Sequence, residues 1–572
     1  MKLYFLLILS LLVFSNCTAQ PTKREVKGTV PVSDTLQLVP YVDVRPADCP
    51  KDYFSHPLKC DVSLTGTFAE VRANHFHSGI DLRIGGKVGE PVYAAQEGFV
   101  SRINISPWGG GKVLYIDHPN GYRTVYMHLN DFVGEIADFV NDYQYSHETY
   151  SFDVTIPAGK LPVDCGQLVA HAGNTGSSGG PHLHYEIRLA ATDQTINPLY
   201  FGMRYSDPVR PQIRGIRLYP MDGNPISLTS DTVSLAGSFY AGIYATDLSE
   251  QGSGKNGVEQ IELLVDDTLF FRYNTASFLF EETRSVNAII DYPHYKSSKE
   301  YYIITRHLPA LRMANHWVGG SEGIISFADS LPHKLTYIVS DYKGNTDRRT
   351  FYVKAFPTVG QSAAKPCVPA ISYRVGGVVR NGESRLSLPP MALYADDDIE
   401  ATCRTDSRFL SKVYSYQPVH NQLPPHVACK LSIAQPSGSQ PDKMVIVNLK
   451  GSKYSACATT RVDGRLVAKI KEFGEYAVSL DLTAPIVRPV NFKDGKPITG
   501  KNSLQIKVTD DLSGLQRYAC YLDDNWVLAE YDGKSAALYV SVRLVTKGRH
   551  TLRVVATDAL GNTTTKEWQV IK

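Results

Sequence analysis

Apolar and polar positions along this chain alternate with a period of two far more often than with the period of a helix. KVLYIDHP (112–119) and YRTVYMHL (122–129) show the spacing of half-buried strands, in which successive side chains face opposite sides. Between them stands Pro119-Asn120-Gly121. Asn-Gly flanked by alternating runs predicts a hairpin, because both residues tolerate positive φ. Helical periods are few, and part of 130–145 (NDFVGEIADFVNDY) is the best candidate. Beyond about residue 205 the pattern becomes strands separated by turn residues at short intervals, as in β-sandwiches.

An internal echo supports that division. YATDLSEQGSGKNGVEQIELLVDD (244–267) and, after a long insertion, HKLTYIVSDYKGNTDRRTFYV (333–353) correspond to VTDDLSGLQRYACYLDDN (508–525) and HTLRVVATDALGNTTTKEWQV (550–570). Asp341, Gly344 and Asn345 match Asp558, Gly561 and Asn562. These residues read as an Asx turn before a last strand. A calcium site is the alternative reading, disfavoured because too few carboxylates converge along the sequence.

The expected fold is mainly β, in an ordered series of units. Residues 20–45 form a lead-in, and 46–204 a β-rich first domain interrupted by a longer stretch at 130–165. A β-sandwich follows at 205–356, a Pro/Ala/Ser linker at 357–370, a second sandwich at 371–484 and a last one at 485–572. The length of 572 residues, too much for one core, agrees with roughly three to five domains. The 34 tyrosines and many β-branched residues favour strands. With a formal net charge of +2 and no basic cluster, a nucleic-acid partner has no electrostatic support.

The first residues, MKLYFLLILSLLVFSNCTAQ, hold a lysine and an apolar run of roughly a dozen residues, short of the roughly 20 that a membrane span needs. They read as a signal peptide over 1–19, with CTA as a small-x-small cleavage site. A rival reading has a lipidated Cys17, which Asn16 before it fits poorly. No later segment is apolar enough to span a membrane, so an exported protein of the periplasm or cell envelope is expected. None of the cysteines forms a CxxC pair, which argues against a cysteine-rich zinc site. Cys49 and Cys60 are close enough in sequence for a loop disulfide.

Histidines carry the candidate chemistry. NHFHSGIDL holds His77 and Asp81 with three residues between, YMHL ends a strand with His128, and GPHLHYEI holds His182 and His184. A catalytic zinc site takes three nitrogen or oxygen ligands and keeps one position open. These segments supply such a set with polar groups to spare. On a strand, His182 and His184 would face one side about 6.6 Å apart, at about 3.3 Å rise per residue. Leu183 would point into the core, and the glycine-rich NTGSSGG before them lets backbone approach a substrate. This reading leaves open which of the two is a ligand.

Taken together, HFHSGIDL, YMHL and GNTGSSGGPHLHYEI, with GEPVYAAQEGFV and GGKVLYIDHPNGY between them, resemble the lysostaphin/LytM-type zinc metalloendopeptidases over roughly 60–200. The resemblance implies a groove over an antiparallel sheet and one Zn2+ held by His77, Asp81 and His184. It gives His128 and His182 catalytic roles and makes peptidoglycan peptides the substrate. His75 lies too far from Asp81 for the HxxxD spacing. His118, His147 and His171, like His75, read as structural or surface residues.

The alternative is a catalytically silent or latent member of the same fold that binds or activates other wall hydrolases. Such regulators usually lose ligands, whereas all five polar positions are present here. The 130–165 stretch departs from the family pattern, and either walls or lids the groove or packs outside it. The C-terminal sandwiches are candidate surfaces for envelope protein partners.

Overall fold

The computed structural model describes residues 40–60, 63–248, 255–320, 322–356 and 371–572. The expected signal peptide, Cys17, most of the lead-in and the 357–370 linker lie outside the described residues. In the first unit, β1 (Leu64–Gly66), β2 (Ile80–Arg83), β3 (Gly98–Ile105), β4 (Lys112–Asp117), β5 (Tyr122–Met127), β6 (Phe152–Thr155) and β7 (His182–Leu189) form an antiparallel sheet. Their order is β1-β2-β7-β5-β4-β3-β6. The Asn-Gly hairpin forms between β4 and β5: Gly121 takes φ 83°, and the His118 amide donates to the Tyr122 carbonyl at 2.9 Å. A short second sheet of Pro91–Tyr93, Leu168–Ala172 and Leu129–Phe132 adds Val92, Val169 and Leu129 to the same core.

Past its first residues, which join that second sheet, the 130–165 stretch runs along the sheet edge away from β2 and β7. Helix α1 (Glu135–Ser146) buries Ile136, Val140 and Gln144, spaced by four on one face. After it, β6 and the pair Pro162–Val163 both attach to β3. Three strands separate β6 from β7, so this stretch extends the sheet edge remote from β2 and β7. Tyr143 stacks on His147 at 4.1 Å and packs on Phe152 at 4.5 Å, while Tyr150 is buried.

The second unit builds two sheets from 212–356 and shares one continuous core with the first. Thr195 and Ile196 of the first unit pair with Phe278 and Ser277 of the second, and Phe278 packs on Phe68 and Phe76 at 5.3 Å each. Two five-stranded sheets over 377–480 enclose a separate core, and a four- and a five-stranded sheet over 486–571 enclose another. The internal echo is topological. In both the second and the last unit, a short strand pairs in parallel with the final one, Thr232–Ala236 with Thr346–Phe356 and Lys496–Pro497 with Thr563–Ile571. Cys49 and Cys60 are not joined: both are free thiols, Cys49 buried and pushed up to about 12 by that burial.

The last unit folds back onto the first. Glu530 accepts from the Lys112 ammonium at 2.9 Å, and Lys534 donates to the carbonyls of Asn174 and Ser178. Trp526 meets Tyr145 edge to face at 5.2 Å.

Candidate metal centre

Strand register builds the centre. β7 lies between β2 and β5, with His184 opposite Asp81 on one side and Met127 on the other. Leu183, Tyr185 and Ile187 turn into the core, so alternation places His182, His184, Glu186 and Arg188 on the opposite face. Ile80 and Leu82 likewise bury themselves and leave Asp81 on the side of His184.

His77 arrives from a turn beside the two-stranded hairpin Val71–Arg72 and His75–Phe76. The second unit braces that hairpin: the Phe76 amide donates to Thr283 Oγ1 at 2.8 Å. Gly79 lets the turn pass β7, since a Cβ there would lie 2.3 Å from the Tyr185 carbonyl oxygen and 2.9 Å from His184 Nε2.

Three potential ligand atoms converge. His77 Nε2 stands 2.9 Å from Asp81 Oδ1 and 2.9 Å from His184 Nδ1, and the last two are 3.0 Å apart. All three residues are buried. Tetrahedral ligands at about 2.0–2.1 Å from a zinc-sized ion sit roughly 3.3 Å from one another, so the cluster needs to open by only a few tenths of an ångström.

The outer nitrogens are already engaged. His77 Nδ1 bonds the Thr67 carbonyl at 2.7 Å, and His184 Nε2 bonds Glu186 Oε1 at 2.8 Å. That arrangement turns His77 Nε2 and His184 Nδ1 toward the cluster, as outer partners of metal-bound imidazoles do. Glu186 is held in turn by Arg188 at 2.5 Å and by the Ser78 hydroxyl at 2.5 Å. Arg72 donates to Asp81 Oδ2 at 3.0 Å and to Glu70 at 3.2 Å, which leaves Oδ1 for the cluster.

The charges show that the cluster favours a cation. Burial opposes ionisation of Asp81, but its neighbour His77 and hydrogen bonds from His182, His184 and His77 hold it well below the usual carboxylate range. Burial also opposes a charge on His184, yet Asp81 and Glu186 raise it to about 9. Glu186 falls to about 2 because Arg188 and His184 outweigh its burial. A proton on His184 thus does, without metal, part of what a metal cation would do among these donors. Two nitrogens, one oxygen and rings oriented by their outer bonds are a donor set that suits a metal.

His128 and His182 stand beside the cluster, their ring centroids 4.8 Å apart. His128 sits where β5 ends, with φ 63°, a left-handed conformation uncommon outside glycine. Its Nδ1 bonds the Thr175 carbonyl at 2.9 Å, leaving Nε2 free. Burial, then the neighbouring His184 and His182, push it down to about 3. His182 Nδ1 bonds the Gly180 carbonyl at 2.8 Å, and its Nε2 lies 3.3 Å from Asp81 Oδ1. All five expected residues therefore meet at one place.

The other histidines do not join them. His75 is exposed and bonds Ala73, His118 is buried against Glu97 and Thr124, His147 stacks on Tyr143, and His171 pairs with Asp131. Sequence reasoning missed Glu186, Arg188, Arg72, Thr67 and Gly79. Of these, Glu186 and Arg188 had a signal, since HLHYEIRL continues the same alternation. Arg72 and Thr67 had none, because the hairpin and loop that bring them in are tertiary features.

Residues 75–146 match the family model described as peptidase family M23, and 370–481 match one described as a Zu5-like domain. Over 123 residues the chain is 32% identical to a Haemophilus influenzae protein named an uncharacterized metalloprotease, covering 22% of this chain and 20% of that one. Over 111 residues it is 32% identical to the peptidoglycan DD-endopeptidase ShyA of Vibrio cholerae, covering 19% and 20%. The chain spans about a fifth of the length of these relatives. Among solved structures, a catalytic-domain variant of the prophage-encoded M23 protein EnpA of Enterococcus faecalis is 25% identical, covering 27% of this chain and 98% of that one, with a TM-score of 0.19.

Proposed function

We propose that this chain, whose residues 75–146 match the peptidase family M23 model, is a zinc metalloendopeptidase that cuts peptide bonds in the stems or cross-links of peptidoglycan. The observation that carries the reading is the convergence of His77, Asp81 and His184, each imidazole fixed through its outer nitrogen, with His128 and His182 alongside. A zinc ion held by these three residues supplies Lewis acidity toward the scissile carbonyl and lowers the pKa of water from 15.7 to about 7.

The chain's own residues handle the proton and the peptide. His128 is kept neutral by burial, and its free Nε2 accepts a proton from the attacking water. Nε2 of His128 or of His182 then returns a proton to the leaving amine or donates to the oxyanion. Arg72 orients Asp81 by donating to its Oδ2, and Glu186 keeps the His184 ring in place. The loop 173–180 lines the approach, tied on one side to 109–111 and on the other to Lys534.

Relatives named as peptidoglycan DD-endopeptidases support a cell-wall substrate, and an exported location in the periplasm or envelope follows from that substrate. The C-terminal units are offered as surfaces for envelope partners.

The test is a metal measurement joined to a digestion. Residues 20–572 are purified, zinc is measured by elemental analysis, and the protein is incubated with purified sacculi. Stoichiometric zinc and new free amines, both lost in Asp81→Ala and His184→Ala, are expected. No bound metal after zinc reconstitution would overturn the enzyme. Bound zinc without cleavage of sacculi or cross-linked muropeptides would favour a silent or latent regulator.

A further inference from the structure

The aspartates of the internal echo are not alone in space. Asp341 lies with Asp207 and Asp247, each offering an oxygen within 4.8 Å of the others, and Asp558 lies with Asp481 and Asp510 in the same way. The two clusters are built alike. Each takes one aspartate from the segment that enters a unit, one from the end of a strand (Phe239–Leu248) or just beyond one (Ser503–Thr509), and one from the turn before the final strand. In each, the asparagine of that turn bonds the entering segment: Asn345 Nδ2 donates to the Asp207 carbonyl at 3.1 Å, and Asn562 Nδ2 to the Asp481 carbonyl at 3.0 Å.

Hydrogen bonds satisfy some of these oxygens but not all. Asp247, 4% exposed, has an Oδ1 with no hydrogen-bond partner among the described residues. The hydroxyl of Tyr205, 7% exposed, is also unpartnered, and it feels the charges of Asp207, Asp247 and Asp341. Asn256, paired with Asp247 across the ladder and 1% exposed, has an unpartnered Nδ2, and turning its amide over would present an oxygen instead. At the second cluster the half-buried Asp510 and Ser513 have an Oδ1 and an Oγ without partners among the described residues.

Buried polar atoms are ordinarily satisfied, and several orphans around one carboxylate cluster mark a missing ligand. That ligand is a cation. Burial, then the carboxylates Asp207 and Asp341, raise Asp247 to about 8, a shift that a bound cation would reverse. Burial, backbone amides, Asp481 and Asp558 play the same parts for Asp510.

We propose that Asp207, Asp247 and Asp341, and independently Asp481, Asp510 and Asp558, form two calcium-type divalent cation sites, each clamping an entering segment to the unit it enters. Oxygen-only donors select a hard cation over zinc. Irregular carboxylate geometry with remaining positions for carbonyls and water suits Ca2+ better than the strict octahedron of Mg2+. The sites lie at the junction of the first and second units and at the junction of the Zu5-like unit and the last one. A cation there couples the orientation of neighbouring units to its own concentration.

The test uses the full exported chain, stripped of metals and reloaded with one equivalent of zinc. It is titrated calorimetrically with CaCl2 alone and, separately, with MgCl2, up to about 5 mM, above the roughly 10⁻⁴–10⁻³ M range of extracellular calcium modules. Two equivalents of Ca2+ and a rise in the thermal midpoint are expected. Asp247→Asn removes one equivalent and Asp510→Asn the other.

Each Asn variant relieves carboxylate repulsion, so each should fold and, without calcium, melt no lower than the parent. That outcome separates lost binding from lost folding. No calcium binding by the parent, or binding untouched by both substitutions, would overturn the proposal. Equal binding of Mg2+ would overturn the calcium assignment.

Discussion

The centre at His77, Asp81 and His184 and the cluster at Asp207, Asp247 and Asp341 are both buried and both three-membered, yet they solve the problem of buried charge differently. In the first, imidazoles can carry protons and arginines stand behind the carboxylates, Arg72 on Asp81 and Arg188 on Glu186. Its charges are compensated before any metal arrives. In the second, carboxylates face one another, and Asp247 Oδ1 has no partner among the described residues. A site with its own counter-charges keeps its shape when stripped of metal, whereas an all-carboxylate site relies on the cation for its cohesion. The first arrangement suits chemistry and the second suits a clamp.

The largest expected effect tests the first half of that contrast. Asp81→Ala and His184→Ala should reduce release of free amines from sacculi to the enzyme-free background and abolish zinc binding, with the far-ultraviolet circular dichroism unchanged. A stripped parent that had lost its fold would break the claim that this centre is pre-formed. Next comes Glu186→Gln, which keeps the shape but removes the charge that fixes the His184 ring. Zinc affinity or activity should fall by about 10–100-fold, the usual cost of an outer partner. Gly79→Ala should act on the same ring from the other side, because the new methyl group meets the Tyr185 carbonyl and His184 Nε2. It should lower activity with the zinc ligands intact, measured as amine release per bound zinc.

The second half predicts a subtler response. With zinc retained and calcium withdrawn, limited proteolysis should begin near 207 and 481 before it reaches the first unit, and millimolar calcium should suppress it. Equal protection of both junctions without calcium would remove the distinction between the two kinds of site.

The smallest effect isolates what carboxylates do for a buried imidazole. His316, 2% exposed, is pushed down to about 3 by burial and the nearby His307, whereas His184 between two acids rises to about 9. An unfolded histidine titrates near 6.5, so between about 6.5 and 3 the unfolded chain holds one proton more than the folded one. Stability from this group therefore falls as pH falls through that window, by up to about 1.4 kcal/mol per pH unit. His316→Gln should flatten that slope, read from urea unfolding at pH 7 and pH 5.

Much of the first site was legible in the chain because its parts are local. The alternation of HLHYEIRL put His182 and His184 on one face, and the same alternation carries Glu186 and Arg188, which were overlooked although nothing hid them. The choice of His184 over His182 as the metal-facing ring was not legible from period alone. It depends on register, which sets His184 opposite Asp81 and within 3.0 Å of its Oδ1.

The Asx turns at Asp341 and Asp558 were equally plain, since an Asp-x-x-Gly-Asn run satisfies itself locally: the Asn345 and Asn562 amides donate to Asp341 and Asp558 at 2.9 and 2.8 Å. Their partners were not plain. Asp207 and Asp247 come from separate segments, as do Asp481 and Asp510, and no short-range pattern ties them to the turns. Periodicity and turn chemistry act over a few residues, so the sequence by itself determined strands, the hairpin and the face on which each side chain stands. Convergence of charges from distant segments depends on how sheets pack and where strands end, and only the tertiary structure decided it.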